Sequence, residues 1–339
     1  MDLKHLLKRG ALLAAANWPL IAIQFAAETT FQVLLAVPVV GAAILVAVLL
    51  GGDLANLLQG NLRDIVTTIS DALVSEPFAF AAFILAFGIV LAGGSALMFL
   101  VKGGTVEVLL AAGGDTPPIE REPVTLESMR VASKFSLGRY ARGCARLFRP
   151  YLGLGTLLMV VYALSGSGYF ALVVFGYRMA ADRSLFAGWA FLTTLATLAL
   201  AVWITVVNLL YLLVQVVIAA EGIGVVEAIR TGGRFVRAEY RNLGGAFLVV
   251  FAMVVGATLA TALAWSGVGL VAFVPLVGLA VFPLQIVAFL FRGLVYEYIG
   301  LTAVGAYVTL YHRYRNARAA ALRESIDATS SSAPIGQAS

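Results

Sequence analysis

Long apolar stretches, separated by short polar segments, dominate this chain. Phe31 to Leu50 and Phe78 to about Val101 are each long enough, at 1.5 Å per residue, to cross a hydrocarbon core of ~30 Å as a helix. Tyr151 to Phe175 and Leu243 to about Trp265 read as two further spans, relieved by small residues that permit close packing. The stretch from Leu185 to Ala220 would be roughly 50 Å long as a helix. It has no turn residues to fold it into a hairpin, so it predicts one long helix projecting beyond the membrane on the cytoplasmic side. After Trp265 the apolar run reaches Tyr311, interrupted by Pro275, Pro283, Arg292 and Glu297.

The N-terminus carries Lys4, Lys8 and Arg9 ahead of an apolar run from Ala11 to Ala27, the layout of a secretory signal. Phe25 occupies the position where a cleavage site needs a small residue, and Asn17, Trp18 and Pro19 interrupt the run. An uncleaved interfacial helix leading into the first span is the expectation. Between the first two spans, Leu54, Leu57, Leu58, Leu62, Ile65, Val66, Ile69 and Leu73 recur at helical spacing, with Asp53, Asp64 and Asp71 off that stripe. Two readings are open for this stretch, a solvated helix on the outer membrane surface or a gate for a substrate.

An internal repeat resolves the last apolar run. Gly138-Arg139-Tyr140-Ala141-Arg142, followed by Arg146, recurs as Gly233-Arg234-Phe235-Val236-Arg237, followed by Arg241, at a constant offset of 95 residues. The same offset carries the third span onto the fifth and the Leu185 to Ala220 helix onto Ala280 to Arg315. The last span is therefore expected from Pro283 to about Tyr311, with Ser266 to Phe282 as an external connection. Both copies start on the same side, so the repeat is parallel: amphipathic helix, span, span. The first hairpin, with Lys4 and Lys8 in place of arginines, is a degenerate candidate for a third copy.

Composition changes the picture only by confirming the solvent. At 61% hydrophobic and 12% charged residues, the chain is far less charged than a soluble domain, about a quarter of which is charged. The fold class expected is all-α, an integral membrane bundle of about six transmembrane helices over residues 1–324, with a disordered tail over 325–339. The net charge of +5 sits beside the spans, where it sets orientation and meets anionic lipid, rather than pointing to nucleic acid. Of 23 Lys and Arg residues, only Arg63, Arg178 and Arg183 fall in the loops of one side and Arg292 within the last span. All others fall on the opposite side. By the positive-inside rule both termini are cytoplasmic. Arginine outnumbers lysine, and alanine and glycine are abundant, as in GC-rich bacterial genomes, which points to a bacterial inner membrane.

Arg230, Arg234, Arg237 and Arg241 line one helix face, with Val225, Val226, Ile229, Val236 and Tyr240 largely opposite; Arg139, Arg142, Arg146 and Arg149 form a comparable row. Like charges at these spacings repel, so the rows favour an anionic partner such as lipid headgroups, at roughly 1 kcal/mol per basic residue, unless they serve topology alone. Arg292 and Glu297 lie inside the last span, where a central charge costs ~2.5 to 3.5 kcal/mol to insert, and either mark a functional site or form a structural polar lock. Asn208, Gln215 and Glu221 are candidate partners for them. No zinc helix, Walker loop or serine with a nearby histidine occurs; His5 and His312 stand near the chain ends, and Cys144 stands alone. Ser165-Gly166-Ser167-Gly168 is read as a helix-packing or helix-breaking segment. Neither a cofactor nor a metal is expected.

Val217-Ile218-Ala219-Ala220-Glu221-Gly222, then Glu227-Ala228-Ile229-Arg230 and Gly233-Arg234-Phe235 ahead of a span, with Leu310-Tyr311-His312-Arg313-Tyr314-Arg315 near the end, resemble a broad group of bacterial six-span proteins. That group includes the membrane domain attached to some glycerophosphoryl diester phosphodiesterases. The resemblance implies a fold and a membrane location; the soluble catalytic domain is not in this chain, and no functional residue carries over. The expected role is non-enzymatic binding, movement or organisation of a lipid or another amphipathic molecule. A transporter would need Arg292, Glu297, Asn208 and Gln215 around one cavity, whereas a structural partner of another membrane protein would show none.

Overall fold

A computed structural model describes residues 2–50, 77–120, 123–183, 185–272 and 275–331. Helix α1 spans Leu3–Ala16, α2 Pro19–Leu50, α3 Pro77–Asp115, α4 Leu126–Ala132, α5 Leu137–Arg183, α6 Phe186–Glu221, α7 Val225–Ala272 and α8 Pro275–Ser331, with no strand among the described residues. All but α1 and α4 are long and apolar enough to cross a membrane, six in all. By helix length and hydropathy the chain is a multi-pass membrane protein. Hydrocarbon offers the backbone no hydrogen-bond partner, so a spanning segment satisfies itself as a helix. Hydroxyls within the spans follow the same rule: Thr156, Ser165, Thr194, Thr205, Thr258 and Thr261 each donate to the carbonyl four residues earlier.

The helix ends have local causes. Asn17 leaves helical geometry at φ −110°, ψ 40° and separates α1 from α2. Pro19, Pro77 and Pro275 open α2, α3 and α8, where a missing N–H costs nothing. The long fourth span is a single helix, α6, ended by Gly222 in the left-handed region at φ 68°. Helix α7 breaks at Glu239 (φ −117°, ψ 23°), which sets its arginine-bearing first segment apart from its span.

One expectation needs correction. The Ser266 to Phe282 connection is helical on both sides: α7 runs to Ala272 and α8 starts at Pro275. Helix α8 runs on past Ser325, to Ser331. Asn316 to Glu324 is rich in Ala, Arg, Leu and Glu, strong helix formers that carry the helix on. The Asp53 to Ser75 stretch and residues 332–339 lie outside the described residues.

The chain divides into two compact units, Ile23–Val101 and the remainder. In the first, Gly94 faces the Phe31 ring so closely that a Cβ there would overlap it. In the second, α5 and α6 are joined by polar pairs: the Tyr162 hydroxyl donates to Asn208 Oδ1 (2.5 Å), Tyr169 pairs with Thr197 (2.7 Å), and Trp203 Nε1 donates to Ser165 Oγ (2.9 Å). Thr258 and Tyr296 link α7 to α8 in the same manner at 2.7 Å.

The repeat is visible as a recurring contact at the arginine-bearing ends of the helices. The first segment of α5 crosses the end of α3, where a Cβ on Gly143 would meet Glu107 Cβ at 2.5 Å and Gly103 O at 3.1 Å. The first segment of α7 crosses the end of α6, Gly232 facing Val214 and Val217. Helix α1 crosses α8 in the same way, Gly10 against the Thr302 carbonyl and Ala306 N, with Gly305 against Gly10. Each amphipathic segment thus lies on the second span helix of the preceding hairpin, and α1 on the last one closes the cycle. Helix α1 thus makes the same kind of crossing as the first segments of α5 and α7.

Candidate functional site

Around the cycle, arginines hold helix ends. Arg9 is 8% exposed. Its Nη2 donates to Gly113 O (3.1 Å) and Thr116 O (2.8 Å), and its Nη1 to Pro117 O (3.3 Å) and Glu120 Oε2 (3.0 Å). The last carbonyls of α3 have no partners within their own helix, and a guanidinium presents enough donors in a fixed fork to satisfy several at once. Lys8 Nζ adds a bond to Glu120 O (2.8 Å). Asn17 fastens α1 to α4: its Nδ2 donates to Ala132 O and its Oδ1 accepts from Lys134 N.

The end of α6 is held by the same device. Arg146 donates to Ala219 O (3.0 Å) and pairs with Glu107, while Arg315 reaches Ala220 O (3.5 Å). Glu221 accepts from the Tyr311 hydroxyl (2.7 Å), and Tyr151 donates to Gln215 O (2.9 Å). Tyr311 also stands edge-on to Phe235 with ring centroids 5.2 Å apart. Of the first arginine row, then, Arg146 is engaged within the protein, Arg139 donates to Lys134 O (2.5 Å), and Arg142 donates to Gly138 O in its own helix (3.3 Å).

The second row is different. In the first segment of α7 the buried stripe is Ala228, Thr231, Gly232 and Phe235, mostly small residues. Arg230, Arg234, Arg237 and Arg241 are all exposed, centred about 140° around the helix from that stripe. Val226, Ile229 and Tyr240 are exposed too, on a third sector about 80° from the arginines. A helix with one face on protein, one apolar face outward and one cationic face outward suits a water–hydrocarbon boundary. Arg234 donates to Thr231 Oγ1 (3.1 Å), and Arg241 lies 6.0 Å from the Tyr240 ring centroid. Arg230 and Arg237 reach no carboxylate or hydrogen-bond acceptor among the described residues.

Two cavities flank these elements. A polar cavity of about 480 Å³ is lined by Arg9, Asp115, Glu120, His312, Arg313 and Asn316, among others. Its carboxylates balance much of its positive charge. An apolar groove of about 340 Å³ runs between α5, from Leu154 to Val161, and α6, from Trp203 to Val214. Ile229, Gly233 and Val236 of α7 close one end. Tyr211 also lines it, 9% exposed, with a hydroxyl that finds no partner among the described residues.

The residues predicted inside the last span line neither of these two cavities. Arg292 is exposed on α8 with its guanidinium 5.5 Å from the Tyr296 ring centroid, and Glu297 is half-buried. Asn208 and Glu221, two of their candidate partners, bond instead to Tyr162 and Tyr311. Neither cavity is lined by Arg292, Glu297, Asn208 or Gln215. Sequence reasoning missed Arg9, Glu107 and Glu120 because backbone-capping arginines and their carboxylates follow no period. The available signal was the presence of acidic residues inside an otherwise basic segment. No family model, curated protein or solved structure matches this chain, so the resemblance rests on its motifs alone.

Proposed function

We propose that this is a bacterial cytoplasmic-membrane protein, with both termini in the cytoplasm, whose role is the non-enzymatic binding and organisation of anionic lipid or a similar amphipathic molecule. The orientation is supported by the one-sided distribution of Lys and Arg. The observation that carries the lipid reading is the first segment of α7. Its arginines stand exposed beside exposed apolar side chains, and Arg230 and Arg237 form no ion pair among the described residues. Four like charges along one helix face repel one another, and headgroup phosphates at the same depth remove that cost.

A ligand that binds the folded state raises its stability in proportion to occupancy. Phosphatidylglycerol added to the detergent-purified protein is expected to raise Tm more than phosphatidylcholine does. Replacing Arg230, Arg234, Arg237 and Arg241 with Gln should remove that difference. Equal stabilisation of the native protein by the two lipids would reject the proposal.

A further inference from the structure

We infer that the apolar groove between α5 and α6 holds one acyl chain of an anionic lipid whose headgroup is bound by Arg230, Arg234 and Arg237. The inference deepens the headgroup reading above and rests on it. Three observations converge. The groove is apolar along its length and open sideways, for Leu157, Trp203, Leu210 and Ile229 all line it and are all at least 41% exposed. From Trp203 to Val214 it extends over about 16 Å of helix. That is the depth of one leaflet in a hydrocarbon core of ~30 Å.

The groove also ends where the charge begins. Ile229, Gly233 and Val236 close it, and each is followed at once by an arginine, Arg230, Arg234 and Arg237. A chain lying in the groove therefore brings its headgroup within reach of three guanidinium groups on the adjacent helix sector. Charge selects the lipid and the groove selects its chain.

The test uses the full-length protein in vesicles of phosphatidylcholine carrying a trace of photoreactive lipid. One probe is a phosphatidylglycerol and the other a phosphatidylcholine, with the same diazirine-bearing acyl chain. Mass spectrometry should place the phosphatidylglycerol cross-links on Leu154 to Val161 and Trp203 to Val214. Gly233→Leu fills the groove's end without disturbing packing, because a Cβ there meets nothing within 4 Å. It should lower labelling about tenfold by displacing a few methylenes. Val207→Trp, deeper in the groove, should act likewise. Neutralising Arg230, Arg234 and Arg237 should weaken labelling by the anionic probe about a hundredfold and leave the zwitterionic probe unchanged. Labelling spread over the outer faces of the spans, or untouched by both filling variants, overturns the inference while phosphatidylglycerol's extra stabilisation still upholds the headgroup reading. Equal labelling of the groove by both probes overturns the inference, and if that extra stabilisation is also absent the headgroup reading falls with it.

Discussion

Arg9 and Glu120 meet at 3.0 Å with side chains 10% and 5% exposed, joining the N-terminal helix to the segment that follows α3. The pair is far more buried than Arg146–Glu107, and Arg9 also holds three carbonyls at and just past the end of α3. Losing one member of such a pair strands the other in a poorly solvated place. Arg9→Met should destabilise the protein by about 3 to 5 kcal/mol. Glu120→Gln should cost less, about 1 to 3 kcal/mol, because Arg9 keeps its carbonyls. The double substitution should recover only part of the Arg9→Met loss, since Gly113 O, Thr116 O and Pro117 O stay without their donor. Thermal unfolding in detergent of the three variants measures each value.

The crossing of α1 over α8 depends on Gly10. A Cβ there would collide with backbone atoms, the Thr302 carbonyl and Ala306 N, which cannot move aside as a flexible side chain can. Gly10→Ala should cost about 3 kcal/mol or more. Gly138→Ala is the control: nothing lies within 4 Å of its Cβ, and the change should be neutral or stabilise by up to about 1 kcal/mol. Equal losses in the two variants would mean that the crossing does not set stability.

Orientation is open to direct chemical test. Single cysteines at Lys8 and Arg323, in a Cys144→Ser background, should react with an impermeant maleimide only after the cells are opened. Gly188, on the opposite end of α6 from Glu221, should react in intact cells. The reverse pattern would invert the chain in the membrane.

The spans, the unbroken α6 and the paired arginine segments were legible because hydropathy and helical period are local properties. The Ser266 to Phe282 stretch misled because Pro275 and Pro283 looked like breaks. Pro275 starts α8 and Pro283 lies within it, and a span tolerates an internal proline when its surroundings satisfy the freed carbonyl. The crossing of α1 over α8 was illegible for another reason. The contact uses the backbone at Gly10 and Gly305, and Arg9 binds three carbonyls as well as the Glu120 carboxylate. Nothing in the 95-residue period records those contacts. Arg292 and Glu297 drew attention through the cost of an intramembrane charge, yet which way Arg292 faces is set by the turn of α8.

Arg292 lies 5.5 Å from the Tyr296 ring centroid, one helical turn away. Tyr296→Phe keeps the ring face and loses only the hydroxyl pair with Thr258, while Tyr296→Leu should cost about 0.5 to 2 kcal/mol more than Tyr296→Phe. Part of the Leu loss should vanish in an Arg292→Leu background. A double-mutant cycle by thermal unfolding measures that coupling, and strict additivity would remove the ring from any account of how Arg292 is accommodated.

The most direct test of the central claim is the lipid composition that stays with the protein after purification from its native membrane in mild detergent, read by mass spectrometry against the bulk membrane. The arginine sector of α7 predicts enrichment of anionic glycerophospholipid on the native protein, and its loss when Arg230, Arg234, Arg237 and Arg241 are all replaced by Gln. Retained lipid of bulk composition on the native protein, or an enrichment that the four substitutions leave intact, would contradict it.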